Sequence, residues 1–436
     1  MKRVLGLADL LVIAAAAIGP GFALATTMGP MVGAGGYAAP LALVIVTAIM
    51  ACVAVGYSRM GAAHPNAGSS YTWIRTAFGP TLGAYGAWVL IIANIFAIVV
   101  TALPAGTYTL DLIAPQLAGS PLAIAGVAAL WTIAAGVLLA RGLKPTALVT
   151  MILVVAEFAV LGAAAVAALL AHAIPHDAAI GRASGVSGFV GALVIGIWMI
   201  DGWEVSASTA EEANDRTRAP GLGGLGGLAL TAGVLVLCMT AFLRIGTPAR
   251  YADHATDAMA YVGLLLGGGP WRTIIAVTVL VSLAASLQTT LVYLSRSIFA
   301  MGRDGFVPRV FGRLDERGVP IVAIVALTGL GVALCLASAL LPSVKRAFDL
   351  VLSGTSVFLG ILFLLSAAAS VRMFWTERGA RWLSGAGLPG FATVVLAGIL
   401  VVAVAESDPR TQWFIAASAA LGLPLAIWRG RVITRF

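Results

Sequence analysis

The chain has 436 residues, of which 60% are hydrophobic and only 10% are Asp, Glu, Lys or Arg, and its formal net charge is +8. Soluble domains carry roughly 25% charged residues. The 26 basic and 18 acidic residues are too few to cover a globular surface of this size. The composition excludes a soluble enzyme, a disordered chain and a nucleic-acid-binding protein. It predicts an all-α polytopic membrane protein.

Apolar stretches separated by charges, Pro and Gly predict twelve membrane-spanning helices with short connections, in one transmembrane domain. Each crossing needs about 20 apolar residues. The N-terminus resembles a signal peptide, but Asp9 and the break at 19–21 favour a retained first span. The predicted spans are residues 8–33, 38–58, 79–103, 121–140, 145–172, 187–211, 222–243, 270–301, 319–341, 347–370, 387–405 and 411–428.

The basic residues predict how the chain is oriented. With the N-terminus in the cytoplasm, 19 of the 26 Lys and Arg residues lie on the cytoplasmic side, as the positive-inside rule requires. Both termini are therefore expected in the cytoplasm. The positive charge is expected to set orientation and to contact anionic lipid of the inner leaflet, not nucleic acid.

Metal and catalytic motifs are missing from the sequence. The three Cys lie in separate apolar runs, and the four His fall in predicted loops with no HExxH or nucleophile motif. A GxGxxG match at 221–226 follows no strand, so it is interpreted as close helix packing. We expect no metal site, no cofactor and no hydrolase machinery.

The first span is interrupted about halfway across by Ile18-Gly19-Pro20-Gly21-Phe22. Pro removes a backbone donor, and two Gly loosen the helix. Broken backbone at membrane depth is tolerated where it is buried in protein or faces a cavity, and in transporters such half-helices mark the substrate site. An ordinary proline kink explains the segment equally well.

Three acidic residues lie deep in predicted spans, where ionisable groups are costly and usually functional. Asp201 and Glu204 flank Gly202 and Trp203 in the sixth span, and Glu157 lies in the fifth. No Lys or Arg lies deep in any span, so a substrate cation, a proton or Na⁺ is expected to meet these acids. Glu157 is a candidate proton carrier, or alternatively a protonated group bonded to a neighbouring carbonyl.

Three separated segments together resemble the amino acid–polyamine–organocation superfamily, whose members share the LeuT-type fold. The first, residues 64–80, is similar to the family's P-x-(A/S)-G-G-x-Y…FG pattern, with Ser69 in place of the second Gly. The second, residues 201–220, is similar to the sixth helix and its acidic, then basic, end. The third, residues 295–308, is close to the S-R-x-x-x-A-x-x-R-D-G-x-x-P that follows helix eight.

The resemblance implies two inverted five-helix repeats, at about 8–172 and 187–370, and two additional helices at 387–428. Helices 1 and 6 would be unwound around a central substrate site. Backbone N–H groups near Gly19 and Gly21 would bind a substrate carboxylate, and carbonyls near Ile200–Gly202 its amino group. The implied substrate-binding residues are Ile18, Gly19, Pro20, Gly21, Trp198, Ile200, Asp201, Gly202, Thr289 and Tyr293.

The resemblance also implies gating by Trp198 and Trp203, and coupling through Glu157 or Glu204. Two residues of this sequence depart from the family pattern. Pro20 removes a Ser-type carboxylate contact, and Glu157 lies where many proton-coupled members carry a Lys. Glu157 would attract a substrate ammonium, bind a proton or help to form a cation site.

The predicted function is secondary active transport of an amino acid or small organic amine by alternating access in the cytoplasmic (inner) membrane. There is no P-loop, so the energy must come from a gradient or an exchanged solute, and H⁺ coupling is favoured over Na⁺. The alternative is a permease or exchanger specific for polyamines or cationic amino acids. A membrane-embedded enzyme or a channel is a more distant alternative. The expected partners are the small-molecule substrate and membrane lipid, and the protein is expected as a monomer or homodimer.

Overall fold

The computed structural model of the protein describes residues 1–173, 185–254, 258–340 and 344–433, without the side chains of 344–350 and 429–433. Within these ranges the chain is all-α, and its one β-type contact is a bridge between Leu5 and Ala213. The helices are α1 Leu7–Ile18, α2 Pro20–Gly35, α3 Ala39–Ala63, α4 Ser69–Phe78, α5 Pro80–Ile113, α6 Pro121–Ala140, α7 Leu143–Leu170, α8 Gly185–Met199, α9 Val205–Ser208, α10 Ala219–Ile245, α11 Pro248–Asp253, α12 Ala258–Leu265, α13 Gly269–Arg303, α14 Ile321–Ser338, α15 Val344–Phe374, α16 Gly379–Trp382, α17 Leu388–Glu406 and α18 Pro409–Ile433.

Ten helical segments are long and apolar enough to cross a membrane, counted over the described residues. The first segment, Leu7–Ala63, is 57 residues long and contains α1, α2 and α3. The apolar helix α8 is shorter, at 15 residues. Large apolar side chains such as Leu170, Val394 and Val401 are at least 70% exposed. An outer surface of this kind suits lipid, so the prediction of a polytopic all-α membrane protein is confirmed.

Helix boundaries follow the predicted spans, with the two expected interruptions and one extension that was not predicted. The spans 8–33 and 187–211 are each interrupted, at Gly19 and between Met199 and Val205. The span that was predicted to end at residue 103 continues to Ile113, with Pro104 inside α5. Membrane helices tolerate such a Pro because neighbouring groups satisfy the freed backbone. The segment after the second span, predicted as a loop, contains α4, because Tyr71, Trp73 and Ile74 bury one helical face.

The interrupted first helix lies at the centre of the bundle. α1 packs against α7, α10 and α13, and it also contacts α9, which follows the second interruption. α2, which follows the first break, packs against α8, which precedes the second break. Each half of the first interrupted helix therefore contacts one half of the second. This packing brings the two interrupted segments together in the interior of the protein.

Candidate functional site

The first interruption is a single left-handed residue. Gly19 has φ 59° and ψ 73°, ends α1, and is followed by Pro20 at the first position of α2. A Cβ on Gly19 would lie 2.0 Å from the Ser286 hydroxyl oxygen. Both the positive φ and the close approach of α13 therefore require glycine here.

Protein groups already bind the backbone donors at the start of α2. The Gly21 N–H donates to Glu157 Oε1 at 2.6 Å, and the Phe22 N–H donates to Ser282 Oγ at 3.0 Å. Ser286 in turn donates to the Ala16 carbonyl at 3.0 Å. The break is therefore held by α7 through Glu157 and by α13 through two serines.

The second interruption covers residues 200–204 and contacts the first. Gly202 has φ 114°, and a Cβ there would lie 2.6 Å from the backbone carbon of Ala17. Glu204 bends back over the turn, so that its Oε2 accepts the Gly202 N–H at 3.1 Å. Glycine at 202 thus lets the two breaks meet backbone to backbone.

A small cavity of about 30 Å³, partly open to solvent, lies where the breaks meet. Four groups of residues line the cavity: from the first break, Ala17, Ile18, Phe22 and Ala23; from the second, Trp198, Asp201, Gly202, Glu204 and Val205; from α5, Asn94, Ala97 and Thr101; and from α13, Ser286, Thr289, Thr290 and Tyr293.

The cavity is acidic and contains polar atoms without partners. Asp201 Oδ1 and the Tyr293 hydroxyl are buried and make no hydrogen bond to the described residues. Thr289 and Asn94, by contrast, donate to carbonyls of their own helices. None of the described residues that line the cavity is basic. The unpaired oxygens can accept hydrogen bonds from a bound cation or neutral donor.

Aromatic rings form one wall of the cavity and the layer beneath it. Trp198 meets Phe22 edge to face, with 6.4 Å between ring centroids. Trp203 points away from the cavity and stacks on Phe363 at 5.6 Å, with Tyr57 at 5.0 Å. Of the two tryptophans predicted as gates, Trp198 therefore lines the central cavity and Trp203 does not.

A second, smaller cavity lies behind Trp203. Its lining includes Tyr57, Trp203, Ser206 and Pro220, and it shares Glu204 with the central cavity. Glu204 is 2% exposed and is the only residue that lines both spaces, among those the structure describes. The carboxyl group therefore lies on the boundary between the central cavity and the region where Trp203 packs.

We call the end of the bundle that carries residues 1–6 the N-terminal face. The Val4 and Leu5 N–H groups donate to the Glu212 carbonyl at 2.9 and 3.1 Å. The Glu212 carboxylate accepts two bonds from Arg296, at 3.1 and 3.2 Å, and the Arg296 side chain is fully buried. These contacts join the chain start, the segment after the second break and α13.

Two additional ion pairs lie at the N-terminal face, and both are more exposed than the pair of Arg296 and Glu212. Arg303 binds both oxygens of Glu211, at 2.8 and 3.1 Å, and Arg75 binds Asp304 at 2.7 Å. Burial opposes ionisation of Glu211, but its bonds to Arg303 and to the Ala67 N–H prevail, and its pKa is lowered from the ordinary value of 4.5. Three ion pairs therefore link the segments that meet at the N-terminal face.

The structure brings six of the ten predicted substrate-binding residues into the cavity: Ile18, Trp198, Asp201, Gly202, Thr289 and Tyr293. Gly19, Pro20, Gly21 and Ile200 are buried but do not line the cavity, and they form part of the two breaks. Of the coupling candidates, Glu204 lines the cavity, whereas Glu157 is bound to the Gly21 N–H.

Sequence reasoning missed Ser282, Ser286 and Thr290 of α13, and Asn94 and Thr101 of α5. Ser282 and Ser286 precede the two predicted residues Thr289 and Tyr293 at spacings of four, three and four residues, which places all four on one face of α13. This spacing is a readable signal for a polar helix face inside the bundle. No comparable spacing of polar residues surrounds Asn94 on α5, so its place in the cavity could not be recognised from the sequence.

Known proteins resemble this chain over most of its length. A sequence model of the amino acid permease family matches residues 5–425. The branched-chain amino acid permease BcaP of Lactococcus lactis is 26% identical over 291 residues, 62% of this chain and 61% of that permease. An uncharacterised transporter of Mycobacterium tuberculosis is 27% identical over 323 residues, 73% of this chain and 70% of its own. The histidine permease HisP of Lactococcus lactis is 23% identical over 154 residues, 34% of this chain and 32% of its own.

Ten apolar, membrane-length segments among the described residues, together with a polar interior cavity, define an integral membrane protein. The chain belongs to the amino acid permease family, within the amino acid–polyamine–organocation superfamily. The resemblance carried by the three sequence motifs is thereby confirmed. The chain aligns with slightly less than two thirds of the length of BcaP.

Proposed function

We propose that the protein is a secondary active transporter that carries an amino acid or a small organic amine by alternating access. The observation that supports this proposal best is the central cavity, which lies at the meeting point of two helix breaks and contains unpaired carboxylate and hydroxyl oxygens. Discontinuous helices around a midplane site are typical of secondary transporters.

We infer twelve crossings in a LeuT-type arrangement. The first membrane segment, at 57 residues, is long enough for two crossings, and α8 with the second break supplies a further one. The interruptions in the first and sixth crossings then occupy equivalent places in two five-helix repeats. The N-terminal face would lie in the cytoplasm, as the distribution of basic residues favours.

The ion pairs of the N-terminal face support a state that is closed on the cytoplasmic side. Opening that side would require Glu212 to separate from Arg296, and Glu211 from Arg303. Glu204, between the central cavity and the space behind Trp203, is the candidate for coupling a proton to this movement. Trp198 on the cavity wall would gate the bound substrate.

Uptake by the purified protein in proteoliposomes tests the proposal. The labelled solutes are putrescine, arginine, alanine, γ-aminobutyrate and leucine, the last because BcaP is named as a branched-chain permease. Two external pH values and an imposed pH gradient separate proton coupling from exchange. Saturable uptake above that of empty liposomes supports the proposal, and no uptake of any solute by folded protein contradicts it.

Specificity for polyamines or cationic amino acids is the second candidate function. The favouring observation is the presence of Asp201 and Glu204 in a cavity with no basic lining residue among those described. Uptake restricted to putrescine and arginine would support this candidate.

A further inference from the structure

We propose that the preferred substrate is a small organic amine without a carboxylate group, because Glu157 occupies the position that a substrate carboxylate would take. This inference rests on the proposed transport function and specifies its substrate class. It depends on hydrogen bonds at the first break and on the charges of the cavity.

The start of a helix binds anions through its free N–H groups. At α2 these donors are all used. Pro20 has no N–H, the Gly21 N–H donates to Glu157, and the Phe22 N–H donates to Ser282. The next N–H along the helix, that of Ala23, donates to the Gly19 carbonyl at 2.8 Å. No donor of the first turn remains for a ligand.

Glu157 reproduces within the chain the anion that such a helix start would otherwise bind from outside. Its side chain comes from α7, is 1% exposed, and lies 2.6 Å from the Gly21 nitrogen through Oε1. A second carboxylate at this place would compete for the same N–H and lie beside the first. The competition for the donor persists whether Glu157 is charged or neutral, since its oxygen holds the hydrogen bond in both forms.

The other end of the site is suited to an ammonium group. Asp201 Oδ1 and the Tyr293 hydroxyl are buried and have no hydrogen-bond partner in the part of the chain that the structure describes, and Tyr293 is 2% exposed. Both residues line the cavity, where no described residue offers a guanidinium or ammonium group to a carboxylate. Phe22 and Trp198 supply an apolar wall for the hydrocarbon part of an amine.

Matched pairs of amine and amino acid test this substrate class, because the members of a pair differ only by the carboxylate. The pairs are putrescine and ornithine, agmatine and arginine, and isopentylamine and leucine, measured as labelled uptake by the wild-type protein in proteoliposomes. We expect the amine to have at least about 10-fold higher apparent affinity in every pair that is transported, which is about 1.4 kcal/mol. Equal affinity, or preference for the amino acid, overturns the inference and leaves the transport function standing. Uptake of neither member of any pair overturns both.

Variants of Glu157 test the physical cause. Glu157→Ala frees the Gly21 N–H and should raise the affinity for the amino acids about 10-fold relative to their amines. Glu157→Gln removes the charge but keeps an oxygen acceptor, so it should largely retain the preference for amines. Ser282→Ala frees the Phe22 N–H without a change of charge and supplies a second route if Glu157→Ala does not fold. Unchanged selectivity in folded Glu157→Ala overturns the assigned cause.

Two further variants complete the design. Glu316→Gln removes one negative charge from an exposed loop residue and should leave the amine preference unchanged. Asp201→Asn removes the proposed ammonium partner and should lower amine affinity by about 10-fold or more. Full amine affinity in Asp201→Asn would contradict the placement of the ammonium group. Size-exclusion elution of each variant checks that it is folded.

Discussion

Replacing Arg296 by Met should destabilise the protein by about 3–5 kcal/mol, the usual cost of leaving one member of a buried ion pair without its partner. The Arg296 side chain is fully buried, and the Glu212 side chain is 6% exposed. Two hydrogen bonds join them, and Arg296 also donates to Ser295 at 3.0 Å. The substitution therefore leaves the Glu212 carboxylate with no charge partner at a buried position.

The assay is reversible unfolding of the purified protein in detergent, with three variants compared under one condition. Arg303→Met removes the partner of Glu211 from a pair whose Arg is 39% exposed, and should cost only about 0–1 kcal/mol. The double variant Arg296→Met with Glu212→Leu removes both buried charges and should recover most of the lost stability. A destabilisation by Arg296→Met no larger than that of Arg303→Met would show that the buried Glu212 carboxylate does not need Arg296 as its charge partner.

Three further predictions concern the site and the N-terminal face. Glu204→Gln should abolish transport or remove its pH dependence without unfolding the protein, and full pH-dependent uptake would exclude Glu204 from coupling. Trp198→Leu removes the indole ring from the cavity wall, so substrate affinity or gating should weaken, and an unchanged affinity and rate would contradict its role. Burial raises the pKa of Glu211, but the hydrogen bonds from Arg303 and the Ala67 N–H outweigh burial and lower it. The Glu211 carboxylate therefore contributes fully to stability above its ordinary pKa of 4.5. This contribution is lost as the pH falls through the lowered pKa. The stability difference between wild type and Glu211→Gln should shrink on acidification below about 4.5, and a constant difference would refute this.

The sequence predicts the membrane class and marks 19–21 as a break or a kink because these features depend on local properties, whereas the break in the sixth span is implied by the family resemblance. Apolar length predicts the crossings. The Gly and Pro at 19–21 and the Gly at 202 are local features, and they coincide with the observed interruptions. Asp201 and Glu204 could likewise be singled out, because ionisable residues within an apolar span are rare, whereas Trp198 is implied by the family resemblance.

The partners of these residues could not be read from the sequence. Glu157 reaches Gly21 across 136 residues, and Ser282 reaches Phe22 across 260. No spacing rule connects positions on different helices, so the role of Glu157 stayed open between substrate, proton and cation. The pairing of Glu212 with Arg296 depends in the same way on how α13 packs beside the second break.

Transport through the central cavity can be measured as a flux of labelled solute. Uptake of labelled putrescine and leucine would be followed in proteoliposomes that contain either wild-type protein or Asp201→Asn, at matched protein content. The account predicts saturable uptake of at least one of these solutes by the wild type and a strong reduction by Asp201→Asn, whose side chain lines the cavity. Equal uptake by the two proteins, or none by either when both are folded, would contradict it.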